Sequence, residues 1–280
     1  RADTAVRRFE REAKATALLT SPHTVELYDF GVTENGTLYY VMELLDGMDM
    51  YQLVREFGPQ PPARVAFLLE QACRSLAEAH AVGLIHRDLK PANLYVCRYG
   101  LDHDFVKVLD FGLAKPMNEA PSSPAAKNPQ LTVEGYVVGT PEYIAPEAAK
   151  GREDIDGRSD IYSLGCVAWW LLTGKVLFDA ESPMEILVQQ ITAEPPSLAE
   201  TAPQPVPASL ERVVMECLSK DPSGRPATAD ELRRRLRDVD EVPRWTEADA
   251  KAWWEKANIP PTVVRSGTAS LSKKENGSGR

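Results

Sequence analysis

Cysteine and histidine are both scarce in this 280-residue chain, four of each, and neither is clustered. Cys73, Cys97, Cys166 and Cys217 are widely spaced with no CxxC pair, so they read as buried thiols in a reducing compartment rather than a disulfide or zinc framework. His23, His80, His86 and His103 show no ligand spacing either. Long apolar runs are missing too. The longest, Ile161–Leu172, falls well short of the roughly 20 residues that cross a bilayer and reads as a buried helix. No signal-peptide pattern precedes it, and the expected location is cytoplasmic. Positive charge is in deficit, with 32 Lys and Arg against 41 Asp and Glu. The resulting net charge of −9 argues against nucleic acid or an anionic membrane as the main partner. The chain opens on Arg1 rather than Met, which fits a fragment as well as a processed protein.

The composition is that of an ordinary globular protein, 43% apolar and 26% charged. A chain of this size is one large domain or two small ones, and folding buries roughly 70–75% of its extended surface.

The chemistry is concentrated in Gly83–Asn93, GLIHRDLKPAN. One acid (Asp88), two cations (Arg87 and Lys90), an imidazole (His86) and an amide (Asn93) fall within eight residues. Pro91 stiffens the segment, and Leu84, Ile85, Leu89 and Leu94 can anchor it from below. Seventeen residues past Asn93, at the end of the apolar run Val106–Leu109, stands Asp110 followed by Phe111 and Gly112. A polar loop between buried strands, with a second acid at a strand end, suits magnesium-assisted phosphoryl transfer. That reaction needs a carboxylate for a hydroxyl proton, oxygen ligands for the metal, and a cation near the moving group.

These residues resemble the protein kinase signature set. His86–Asn93 (HRDLKPAN) looks like the catalytic loop, Asp110-Phe111-Gly112 like the metal-binding DFG, and Ala145-Pro146-Glu147 like the APE closing the activation segment. Lys90, two residues after Asp88, is similar to serine/threonine kinases, here of the bacterial type. The resemblance implies an α+β, two-lobe kinase fold with an incomplete small lobe and a mainly helical large lobe. It also implies ATP and Mg2+ as cofactors and protein Ser/Thr hydroxyls as acceptors. Asp88 would take or orient the hydroxyl proton, Asn93 and Asp110 would hold the metal, and Lys90 would neutralise the phosphoryl group in transfer. Arg87 implies control by a phosphate on the activation segment, with Thr132 as the leading autophosphorylation site and Ser122, Ser123 and Tyr136 behind it. Thr140 matches the threonine that contacts the catalytic Asp and Lys. His86 and Phe111 are implied packing residues.

Helical spacing of Val6, Phe9, Ala13, Thr16 and Ala17 predicts a helix over 5–19. Its phrase FEREA resembles the kinase C-helix, making Glu12 either the partner of a phosphate-holding lysine or a solvated surface acid. Val25–Gly31 and Thr37–Met42 read as a hairpin around Glu34-Asn35-Gly36. The resemblance puts Met42 at the back of an adenine pocket and Glu43, Leu44 and Leu45 at its hinge. Asp49 falls near the ribose and Tyr95 under the base, where it is either tolerated or narrows the pocket. Pro62–His80 carries a core stripe and ends before Gly83. Lys115–Gln130, rich in Pro and without period, reads as a mobile loop. Ser159 is positioned to cap a helix from Asp160, and Thr228–Glu231 is a capping box. By resemblance Asp160 ties its helix to the catalytic-loop backbone, and Arg225 pairs with Glu147. Trp245–Ala257 presents Ala250, Trp253, Trp254 and Ala257 on one face.

The expected division is therefore small-lobe remnant 1–45, large lobe 46–240, Trp-rich helix 241–258 and disordered tail 259–280. Two family parts are missing: no glycine-rich loop precedes Glu12, and Lys14 is the only lysine before Lys90. Two functions follow. One is a serine/threonine kinase whose activity requires a segment upstream of Arg1. The alternative is a non-catalytic pseudokinase or signalling scaffold.

Overall fold

The computed structural model describes residues 10, 13–111, 140–152, 154–239 and 243–262. Strands β1 (Leu27–Val32) and β2 (Leu38–Met42) form an antiparallel hairpin closed by the bond from Thr33 N to Thr37 O at 2.9 Å. Strands β3 (Asp46–Asp49), β4 (Leu94–Tyr99) and β5 (Asp102–Val108) form a second antiparallel sheet in that order. The stretch just before β1 pairs with β5 at Val108. Its carbonyl accepts from Val25 N at 3.0 Å and its N–H donates to His23 O at 2.7 Å.

The rest of the described chain is mainly helical: α1 (Met50–Phe57), α2 (Pro62–Ala81), α3 (Pro146–Ala149), α4 (Arg158–Thr173), α5 (Pro183–Thr192), α6 (Leu198–Thr201), α7 (Ala208–Cys217), α8 (Ala229–Arg237) and α9 (Glu247–Ala257). This is the α+β organisation expected from the motifs. Helix α4 is the hub, with every residue from Ser159 to Thr173 buried. That explains its sequence, since a helix enclosed on all sides has no reason to be amphipathic. Gly165 lets α7 approach closely; a Cβ there would meet Cys217 Cβ at 2.9 Å. Among the described residues no helix is long and apolar enough to cross a membrane.

The helix ends correct two local expectations. Helix α4 starts at Arg158 with Gly157 as its cap, so Ser159 does not cap it. Ser159 Oγ instead donates to Glu147 Oε1 at 2.5 Å, a tertiary bond that outweighs the local one. At α8, Thr228 accepts from Glu231 N at 3.1 Å, but the Glu231 carboxylate takes the N–H of Ala227 at 2.9 Å rather than that of Thr228. Helix α9 has both halves of a capping box, between Thr246 and Asp249.

All four cysteines are unpaired and buried, in α2, β4, α4 and α7. Burial pushes the thiols of Cys97, Cys166 and Cys217 up to about 12, and that of Cys73 upward as well.

Candidate active site

Helix α2 delivers the chain into the loop before β4, and α4 fixes that loop from beneath. Asp160, 1% exposed, accepts from His86 N at 2.8 Å, from Arg87 N at 3.0 Å and from His80 Nε2 at 2.7 Å. Burial pushes the Asp160 carboxyl upward, but His80 and the His86 contacts outweigh it and hold it below the usual carboxylate range. With its amides tied down, Arg87 adopts a left-handed backbone, φ 65°, an uncommon state for a residue with a Cβ.

His86 is fully buried. Its Nε2 faces the Leu109 carbonyl at 2.7 Å, and its Nδ1 accepts from Asp88 N at 3.3 Å. Its ring packs on Phe111, centroids 4.9 Å apart. Both nitrogens are committed to the scaffold, which removes the imidazole from consideration as a base. Asp88 points instead toward the open side. Its Oδ2 accepts from Lys90 Nζ at 3.0 Å, and the same ammonium lies 3.4 Å from Thr140 Oγ1. Asp88 and Lys90 are about one-quarter exposed, accessible to a substrate yet shielded on one side.

Asn93 Nδ2 donates to the Asp88 carbonyl at 2.8 Å, so its amide oxygen faces away from that bond. Asn93 O also accepts from Leu109 N at 2.9 Å, which holds the strand end carrying Asp110 against the loop. Asp110 is left-handed as well, φ 56°, and its Oδ1 accepts from Tyr40 Oη at 2.6 Å. An amide oxygen and a carboxylate are the hard oxygen donors that suit Mg2+, which keeps waters and phosphate oxygens as its other ligands.

Toward the hairpin, Glu43 is anchored to β5 and to the residue before β1. Its Oε1 accepts from Lys107 Nζ at 2.6 Å and from Glu26 N at 2.9 Å. Asp49 caps α1 through Gln52 N at 2.8 Å, and burial raises its carboxyl. Tyr95 Oη donates to Gly47 O at 2.8 Å. A cleft of about 770 Å³ opens beside Lys90 and Thr140, with Tyr51, Arg55, Glu142 and Trp170 in its wall. Glu142 Oε2 and the Trp169 indole N–H are buried there without a hydrogen-bond partner among the described residues.

The family described as protein kinase domain matches residues 1–235. This chain belongs to the protein kinase family. It is 39% identical over 240 residues to serine/threonine-protein kinase pkn3 of Myxococcus xanthus, covering 85% of this chain and 43% of the relative. It is 39% identical over 236 residues to serine/threonine-protein kinase PknB of Mycolicibacterium smegmatis, covering 82% and 35%. It thus spans less than half the length of these curated relatives. The solved PknI kinase domain of Mycobacterium tuberculosis superposes with a TM-score of 0.63 at 28% identity, covering 85% of this chain and 80% of that one.

The kinase motifs predicted from sequence come together as a set: Asp88, Lys90, Asn93 and Thr140 are linked through hydrogen bonds, and Leu109 joins Asp110 to them. Arg225 meets Glu147 through two bonds, Nη1 to Oε1 at 2.7 Å and Nη2 to Oε2 at 2.8 Å. Met42 ends β2 with 38% of its surface exposed, directly before Glu43. Glu12 and Thr132 lie outside the described residues. Sequence reasoning missed Tyr40, His80 and Lys107. Tyr40 shares the Met42 face of β2 by strand alternation, and that was the one available signal.

Proposed function

We propose that this kinase domain transfers the γ-phosphoryl group of ATP, with Mg2+, to serine or threonine hydroxyls of protein substrates. The observation that carries the reading is the trio Asp88, Lys90 and Thr140, bonded at 3.0 and 3.4 Å on the open side of a loop in which His86 and Asn93 are held by hydrogen bonds. Asp88 would receive or orient the acceptor hydroxyl proton, a contribution of about 10²–10⁴-fold for a positioned base. Lys90 would stabilise charge developing on the phosphoryl oxygens. Asn93 and Asp110 would hold the metal, which, when bound, neutralises the phosphate oxygens. Glu43, Leu45, Asp49 and Tyr95 would border the nucleoside, and Met42 would lie behind the base. The cleft beside Thr140 would take the acceptor segment.

Regulation follows from Arg87, an exposed cation beside the catalytic acid. A phosphate on the segment before Thr140, with Thr132 favoured, would give that guanidinium its anionic partner. Full activity also requires a phosphate clamp, a glycine-rich loop and strand lysine, on a segment upstream of residue 1. A pseudokinase or scaffold has no use for Asp88, Asn93 and Asp110 together, which supports the catalytic reading. The test is Asp88→Asn in the full-length protein. Phosphoryl transfer should fall at least about 100-fold with ADP affinity nearly unchanged. Retention of more than about a tenth of the wild-type rate would reject the assigned role.

A further inference from the structure

The family match ends at residue 235, yet the chain beyond it returns to the nucleotide side of the molecule. Helix α9 is seated by a buried cluster. Asp104 pairs with Arg64 through Nε at 2.9 Å and Nη2 at 2.5 Å, both side chains fully enclosed. The same carboxylate accepts the indole N–H groups of Trp245 at 2.9 Å and Trp254 at 2.7 Å. The Arg64 guanidinium lies 3.5 Å over the Trp253 ring. Four charge-assisted donors on one buried acid leave α9 little freedom to shift.

Past α9, Asn258 is left-handed, φ 51°, and turns the chain toward β4. Arg98 on β4 donates Nη1 to Ile259 O at 3.1 Å, packs 5.2 Å from the Trp254 ring, and holds Asp46 through bonds of 2.8 and 3.0 Å. Thr262 completes the contact. Its N–H donates to Asp46 Oδ1 at 2.6 Å and its Oγ1 to Leu45 O at 3.4 Å. Arg98 and Thr262 together keep the Asp46 carboxyl below its usual range. Residues 259–262, grouped by composition with the disordered tail, are thus bonded to the segment that joins β2 to β3.

That segment is the proposed adenine edge, and it has little room to relax. Glu43 is fixed at one end by Lys107. At the other, Gly47 lies so close to β4 that a Cβ would fall 2.1 Å from Val96 O. Between these anchors, Leu45 and Asp46 are held from outside by Thr262. We infer that Ile259–Thr262 is a strap that positions the nucleotide-binding edge, with Asp46 and Thr262 as positioning residues that do not touch the nucleotide. A backbone already fixed in its binding geometry loses less entropy when the ligand arrives, so the strap acts on affinity. This inference rests on the reading of residues 43–49 as the nucleotide edge.

Two variants test it: truncation after Asn258, and Thr262→Pro, which removes both the N–H and the hydroxyl while leaving the rest of the chain. Amide exchange at residues 44–49 is followed without nucleotide, and ADP affinity is measured with magnesium. Both variants should speed exchange in that segment, and both should weaken ADP binding, about 5–10-fold for Thr262→Pro, the size of one ordinary intramolecular hydrogen bond. Thermal melting should stay close to wild type for Thr262→Pro. Unchanged exchange would overturn the strap whatever the nucleotide does. Faster exchange with unchanged affinity would overturn its role in nucleotide binding. Wild-type chain that binds no ADP would instead bring down the nucleotide reading, and the strap's role with it.

Discussion

Tyr40 and Asp110, seventy residues apart, are joined by a 2.6 Å hydrogen bond from the hairpin to the end of β5. Burial, then the bond to Asp110, pushes the Tyr40 phenol far upward, so it remains a donor at any physiological pH. A donor on a carboxylate oxygen competes with a metal for that oxygen. Tyr40→Phe should therefore tighten Mn2+ or Mg2+ binding, by up to about tenfold, the upper size of an ordinary hydrogen bond. Titration of the metal in the presence of ADP checks this. Weaker binding in the variant would mean that Tyr40 orients Asp110 rather than competing for it.

Asp160 predicts a separation of kcat from nucleotide affinity. Its three bonds end on His80 and on the backbone of the catalytic loop, not on the segment after β2. Asp160→Asn should lower kcat about 100-fold, the scale of a small misplacement of reacting groups, while ADP affinity stays within about threefold. Steady-state kinetics paired with calorimetry distinguishes this from general unfolding, which would remove both.

The Glu147–Arg225 pair makes the fold sensitive to acid. Burial pushes the Glu147 carboxyl upward, but Arg225 and Ser159 outweigh it and hold it below its ordinary value. A carboxyl lowered on folding contributes stability that is present above its unfolded pKa, and that contribution is lost as pH falls through the folded value. Glu147→Gln should cost about 3–5 kcal/mol at pH 7, the cost of leaving a buried cation unpaired. The gap to wild type should narrow in urea melts below pH 4.5, the ordinary carboxyl value from which Glu147 is lowered.

Residues 1–280 alone should be a slow enzyme. Lys14 is the only lysine before Lys90, so neither β1 nor β2 carries a strand lysine for the triphosphate. A version extended upstream through a glycine-rich loop should autophosphorylate faster by orders of magnitude, since positioning contributes several kcal/mol to such reactions. Equal rates for both forms, in the same radiolabel assay, would show the clamp to be dispensable.

What was legible in the sequence was local. The catalytic loop, the hairpin, the helix ending before Gly83 and the tryptophan face of α9 are all written in spacings of a few residues. What was not legible was pairing at a distance. The alternation of β2 marks which face Tyr40 shares, but not that Asp110 waits on it. The stripe of α2 includes His80 as one more inward position, with no sign that its imidazole bonds Asp160. Ser159 was misread for the same reason: its local role as a cap lost to Glu147, twelve residues away. Nor does the Pro-Pro step after Ile259 tell a docked segment from a tail.

The four thiols make the folded chain its own chemical clock. The thiolate is the form that oxidants and alkylating reagents attack, and burial keeps Cys97, Cys166 and Cys217 near 12 and Cys73 well up. At neutral pH only a minute fraction of each group is thiolate, and all four sulfurs are buried. Modification therefore has to wait for the structure to open, and each sulfur reports a different place: the sheet, the central helix, or the helices packed on either side of it. Comparing labelling rates at the four positions, with and without nucleotide, would show which parts of the molecule breathe independently and which move as one.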